Sequence, residues 1–221
     1  ALLLVLNGMT MPVQAKDQFS AVSVITSAET EVPTEGTCGE NTVWKFTEDG
    51  TLEISGTGAM DEWTAESDRP WNDLRDKITN VVIGEGVTTI GERAFSYFSN
   101  VTEFIIPEGV ETISYYAFAN CKNLTSIYLS STVTSFVWYH IFEDDSLKEI
   151  IISEDNERLT SVDGIVYNKD ITHLIISPAG YDKSEILKIP ETVDTIESLS
   201  LSHCHGLKEI IIGKNVKNYS V

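Results

Sequence analysis

Residues 87–109 read VTTIGERAFSYFSNVTEFIIPEG, and residues 110–132 read VETISYYAFANCKNLTSIYLSST. Laid one over the other, the two lines agree column by column. Val87, Ile90, Ala94, Phe95, Phe98, Val101, Phe104 and Ile106 stand above Val110, Ile113, Ala117, Phe118, Cys121, Leu124, Ile127 and Leu129. Each pair is 23 residues apart. Val133 opens a third line at the same interval, and Val193 and Val216 repeat it. A fixed period of roughly 20–30 residues is the signature of stacked units in a solenoid.

The unit has a physical reading. Leu124-x-x-Ile127-x-Leu129 puts alternate apolar side chains on one face of a short strand. Val133-x-x-Phe136 carries the line round the coil. Ala117-Phe118-x-x-Cys121 fills the far side, as a helical or 3-10 turn. So short a unit cannot enclose its own core, but stacked neighbours bury a continuous one. At roughly 1.5–3 kcal/mol per large side chain buried, each rung offsets the ordering of its backbone. Every rung repeats the same direction of travel, so the strands run parallel.

The run from Ile106-Pro107-Glu108-Gly109-Val110 through Ala117-Phe118, Cys121, Leu124 and Ile127 resembles the BspA-type leucine-rich repeat family of bacterial surface and secreted proteins. The resemblance covers about residues 37–221. It implies a β-rich leucine-rich repeat solenoid with a parallel sheet, short helical or 3-10 turns and an N-terminal β-hairpin cap. It also implies attachment to host or neighbouring-cell proteins, such as extracellular-matrix components.

The net charge of −19 argues against nucleic acid and anionic membranes, which call for basic patches. The apolar run Ala1–Leu6 and the small-residue end Val13-Gln14-Ala15 read as the back half of a secretory signal, with cleavage near Ala15–Lys16. The run is too short to span a membrane. Residues 16–36, rich in Ser, Thr, Val and Glu, read as a flexible linker.

Residues 37–77 do not fit the repeat and are assigned to the cap. Val43–Phe46 and Leu52–Ser55 form a hairpin across the turn at Glu48-Asp49-Gly50-Thr51. Trp44, Trp63 and Trp71 fall here and are expected to cover the open end of the first rung. The alternative is a sugar platform of aromatic faces, which makes a glycan the second ligand class.

The solenoid is assigned to residues 78–221, with Ile78–Ile83 as its first strand. The interval from Val133 to Val193 is 60 residues, so one rung is enlarged, near 153–184. Asp163–Asn168 and Thr172–Ile176 read as two strands joined at Lys169-Asp170. His140 and Ile141 replace the Ala-Phe pair in one rung, and Ser200 and Leu201 replace it in a later one. Tyr219 matches Ile90, so the chain given stops in mid-rung, and further repeats or another module are expected to follow.

No Gly-x-Ser-x-Gly elbow, phosphate loop or His-Glu-x-x-His occurs. The expectation is a non-enzymatic chain without a cofactor. His203-Cys204-His205 is the one metal-like cluster, but alternation splits its side chains, and no metal site is assigned. Glu154–Glu157 lacks the spacing of a calcium loop. Cys121 and Cys204 share an inward column several rungs apart, too far for a disulfide, and Cys38 has no evident partner. Three reduced thiols in an exported protein fit an anaerobic setting.

The expected function is adhesion to an extracellular protein, of the host matrix or a neighbouring cell, by a secreted or surface-borne module. The alternative is an accessory or spacer region of a larger secreted enzyme acting on polysaccharide or peptide. The candidate contact surface is the outward column Val82, Ile105, Tyr128, Ile151, Lys188 and Ile211. Asn80, Glu103, Ser126, Glu149 and Glu209 run beside it as an acidic margin.

Overall fold

The structure, a computed structural model, describes residues 4–6, 9–11, 32–136, 146–202 and 204–219. Leu4–Leu6 and Met9–Met11 pair as a short antiparallel hairpin, a unit by itself. The signal cleavage point, linker residues 16–31, His140, Ile141 and His203 lie outside the described residues. Among those described, no helix is long and apolar enough to cross a membrane.

Residues 32–221 form the second unit, a coil with a parallel sheet on each of two faces. On the first face, Glu103–Ile106, Ser126–Leu129 and Glu149–Ile152 pair in strict register, with Tyr128 opposite both Ile105 and Ile151. On the second, Val87–Ile90, Thr112–Ile113 and Ser135–Phe136 do the same. The inward columns are closed: Val87, Val110, Val133 and Val193 are all fully buried. Phe95 stacks on Phe118, with centroids 5.9 Å apart.

The coil begins earlier than the periodicity implies. Thr51–Gly56 pairs parallel with Asn80–Ile83, setting Leu52 against Val81 and Ile54 against Ile83. Gly58 pairs with Val87 on the second face. Residues 51–60 are therefore the first coil, and Ile78–Ile83 belongs to the second. Their spacing of 29 residues hides them from a search at 23. The sheet also reaches into the expected linker, since Glu35–Thr37 pairs antiparallel with the next strand.

The described far-side turns take the 3-10-type alternative, closing on the carbonyl three residues back without extending into a helix. The N–H of Ala94 bonds the Gly91 carbonyl at 3.2 Å, and that of Ala119 bonds Tyr116 at 3.1 Å, as single tight turns. Arg93, Tyr116 and Leu199 hold one repeat position at φ near +60°, and Tyr97 and Asn120 hold another. Recurrence at equivalent positions makes this a requirement of the turn.

These turns also form a ladder. The N–H groups of Arg93, Phe95 and Tyr97 donate to the carbonyls of Tyr115, Ala117 and Ala119 at 3.0, 2.8 and 2.8 Å. In the first turn the matching acceptors are Glu92, Ala94 and Ser96, and the cap supplies the donors. The Trp63 backbone N–H reaches Glu92 at 3.4 Å. The Trp71 indole N–H reaches Ala94 at 3.0 Å. The Arg69 guanidinium reaches Ser96 at 2.7 Å. Arg69 is buried, also bonds the Arg93 carbonyl at 2.9 Å, and lies over the Phe98 ring. Burial lowers its pKa to about 10, so it is a cation at neutral pH. Trp71 stacks on Phe95, extending the aromatic column into the cap.

The enlarged rung is a three-stranded antiparallel meander: Leu159–Val162, Ile165–Asn168 and His173–Ile176. Asp163-Gly164, expected inside a strand, is instead the two-residue turn between the first two, with φ of 53° and 84°. His173–Ile176 then pairs parallel with Thr195–Ile196, and the coil resumes. The core divides at this rung into two clusters.

Arg69→Met should destabilise the chain by roughly 3 kcal/mol, because buried carbonyls lose their donor. Urea denaturation measures this, and a change below about 1 kcal/mol would mean the cap does not depend on the ladder. Leu199→Asn should stabilise by up to roughly 1 kcal/mol, since Asn accepts positive φ and Leu199 is exposed. A thermal melt that shows no rise removes the strain argument.

Candidate protein-binding surface

The outer side of the first face is built by strand alternation. Val81, Ile83, Phe104, Ile106, Ile127, Leu129, Ile150 and Ile152 point into the core. The residues between them must point out. Val82 is 49% exposed, Ile105 59% and Ile151 41%, and Tyr128 is half-buried between the last two. Ile105, Tyr128 and Ile151 form one row across hydrogen-bonded strands. Val82 stands one repeat before Ile105, but its strand pairs with Thr51–Gly56 in the cap's sheet and not with Glu103–Ile106. Glu53 lies against Val82, and Lys45 against Glu53, so the row becomes charged toward the cap.

Lys188 and Ile211 do not continue that row. They pair with each other in a separate two-stranded sheet of Ile186–Lys188 and Glu209–Ile211. Between the two sheets lies the enlarged rung. The Ile150 N–H bonds the Gly164 carbonyl at 3.0 Å instead of a following strand. Ile186, which the sequence column passed over, is 43% exposed beside Lys188. Ile186 falls in the margin column with Glu149 and Glu209, where it breaks the acidic pattern. Val43 is exposed on the cap hairpin, outside the repeat that defines the columns.

The acidic margin is uneven. Ser126 pairs with Glu103 on one side and Glu149 on the other. Glu149 is already engaged, accepting from Lys183 at 2.7 Å, and this bond raises the Lys183 pKa. Lys148 bonds Asp182 at 2.6 Å and lowers the pKa of that carboxyl. Glu209 lies opposite Ile186 in the other sheet. Glu103 therefore carries the margin beside the row.

The second face differs in chemistry. Its non-core positions include Thr88, Thr89, Thr112, Ser135 and Thr195, with Thr89, Thr112 and Ser135 in one register row. The tryptophans do not form a sugar platform. Trp44, Trp63 and Trp71 are buried and pack edge to face on one another.

Cys38, Cys121 and Cys204 are thiols. Cys121 is fully buried, whereas Cys204 is half-buried. Burial pushes the Cys38 pKa up to about 11 and raises that of Cys204. Among the described residues, no group of three or more His, Cys, Asp and Glu gathers as a metal would need.

The profile of the BspA type leucine rich repeat region matches residues 74–182 and 179–220, in six copies. The chain belongs to the BspA-type leucine-rich repeat family. Among solved structures it is similar to a leucine-rich repeat protein from Eubacterium ventriosum, at 26% identity and a TM-score of 0.52. That match covers 84% of this chain and 62% of the other, so the chain spans less than two thirds of that protein. It is also similar to the pneumococcal vaccine antigen PcpA, at 19% identity and a TM-score of 0.51. There the match covers 85% of this chain and 66% of that one. No curated protein sequence matches. The scaffold is thus that of the BspA-type leucine-rich repeat.

The raised thiol pKa has a sign. Between about 9 and 11 the unfolded chain ionises Cys38 and the folded chain does not, so the folded state binds more protons. Stability should fall as pH rises through that window. Cys38→Ala should flatten the decline in urea midpoint, and an unchanged slope would assign the decline to other groups.

Proposed function

We propose that this chain is a non-enzymatic, secreted or surface-borne module that binds an extracellular protein through Val82, Ile105, Tyr128 and Ile151. One observation carries the reading: the two faces of the coil treat outward positions differently. Strand propensity alone favours β-branched and aromatic residues, and Thr serves as well as Ile or Val. The second face uses Thr and Ser at such positions. The first face, in the same rungs, exposes Val, Ile and Tyr. Propensity accounts for the former choice but not for the contrast. A contiguous exposed apolar row is the mark of a partner surface, and solenoids bind along their sheet faces. The apolar run and small-residue end before Lys16 support export.

Tyr128 and Ile151 sit opposite each other, so replacing both with Lys breaks the row at its middle. The double variant should lose capture on a panel of purified extracellular-matrix proteins while its melt stays within a few degrees of the parent. Equal capture by variant and parent, for a matrix protein that the parent retains, would remove this face from the mechanism.

A further inference from the structure

The row has a direction, a length and two unlike flanks, and together they constrain what lies on it. Its hydrogen-bonded length is three rungs, from Ile105 to Ile151, or about 10 Å at the usual spacing between strands, with Val82 of the neighbouring sheet one repeat beyond. Glu53 ends it toward the cap, and the Gly164 hydrogen bond ends the sheet at Ile150. A partner element lying along any one strand meets a single apolar side chain. On the second coil, for example, it would meet Asn80, Val82 and Gly84 in turn. Only an element running along the coil axis, across the strands, covers the whole row.

Spacing then separates the two regular elements. Two turns of α-helix advance about 11 Å, within roughly 1 Å of the paired row over its length. Two same-face steps of an extended strand advance about 14 Å and drift by most of a rung. A helix keeps one apolar side chain near each rung, and a strand does not.

The flanks set its polarity. On one side, two residues after each row member, stand Gly84, Pro107, Ser130 and Ser153. None of these has a long side chain, so the floor is low and close approach is open. On the other side stand Asn80, Glu103, Ser126 and Glu149, where Glu149 is held by Lys183 and Glu103 supplies the charge. The chain as a whole is strongly acidic.

We infer that the partner presents an amphipathic α-helix of at least two turns, laid along the coil axis. It would be apolar toward Val82–Ile151, carry a Lys or Arg on the flank above Glu103, and have small residues on the other flank. The inference rests on the docking face proposed above and names its occupant.

Two peptide display libraries test it against the full chain, matched in length and composition. One places apolar residues at helical spacing, the other in strict alternation. The expected result is binders from the helical library with Lys or Arg enriched on one flank. A synthesised binder should lose affinity about tenfold or more with Tyr128→Lys and Ile151→Lys. Glu103→Gln should weaken it several-fold, and Glu149→Gln by less. Row-dependent binders from the alternating library alone would overturn the helix, as would no row-dependent binder from either library. If matrix-protein capture still depends on Tyr128 and Ile151 in that event, the docking face stands and only its occupant is wrong. If capture is also independent of them, both fail.

Discussion

Everything in this coil hangs on carbonyl groups that point along its axis. The turn at residues 115–119 offers three of them to the rung before, and the turn at 92–96 offers three to the cap. A buried acceptor left without a donor costs about 1–3 kcal/mol, so every rung needs a predecessor. The first full turn has the cap instead, which answers with a backbone N–H, an indole and a guanidinium at Glu92, Ala94 and Ser96. This explains why an arginine is buried beside the Phe98 ring in the cap. The enlarged rung is spliced in by the same rule. The Ser177 N–H reaches the Ser200 carbonyl at 2.7 Å, in the place that Phe95 takes toward Ala117. Any segment that sets a donor at that point can stand in for a repeat, whatever its own topology.

The inward columns were legible because apolar periodicity is a direct record of burial, and 23-residue copies leave little freedom in their register. Val87, Ala94, Phe95 and Phe104 are all core, as are their partners one unit on. What escaped was written in other chemistry. The first coil at residues 51–60 is spaced by 29 residues, with the tryptophan segment in the added length. The role of Arg69 is invisible to a search for apolar residues, although an arginine beside Pro70-Trp71 in a cap is a signal to weigh. Positive φ at Arg93, Tyr97 and Tyr116 left no trace, because none of them is Gly or Asn. The candidate surface was half legible. Alternation turns Val82, Ile105, Tyr128 and Ile151 outward, but one column could not show that Val82 belongs to the cap's sheet or that the enlarged rung separates the others from Lys188 and Ile211.

Inward and outward positions answer to different pressures. An inward side chain is constrained by two neighbouring rungs and by the ladder that fixes their spacing. An outward one contributes little to the fold, so its chemistry is free to vary. The second face spends that freedom on hydroxyls, which satisfy strand propensity and water together. On the first face, Ile105 remains more than half exposed between two further apolar rungs. That choice brings no core contact and carries a solubility cost, which the acidic surface offsets. In the docking proposed above, Glu103 meets a cation of the partner, whereas Val82 lies beside Glu53 and Lys45, which already oppose each other in register. The proposed contact is therefore directional along the coil, which an apolar row alone would not make it.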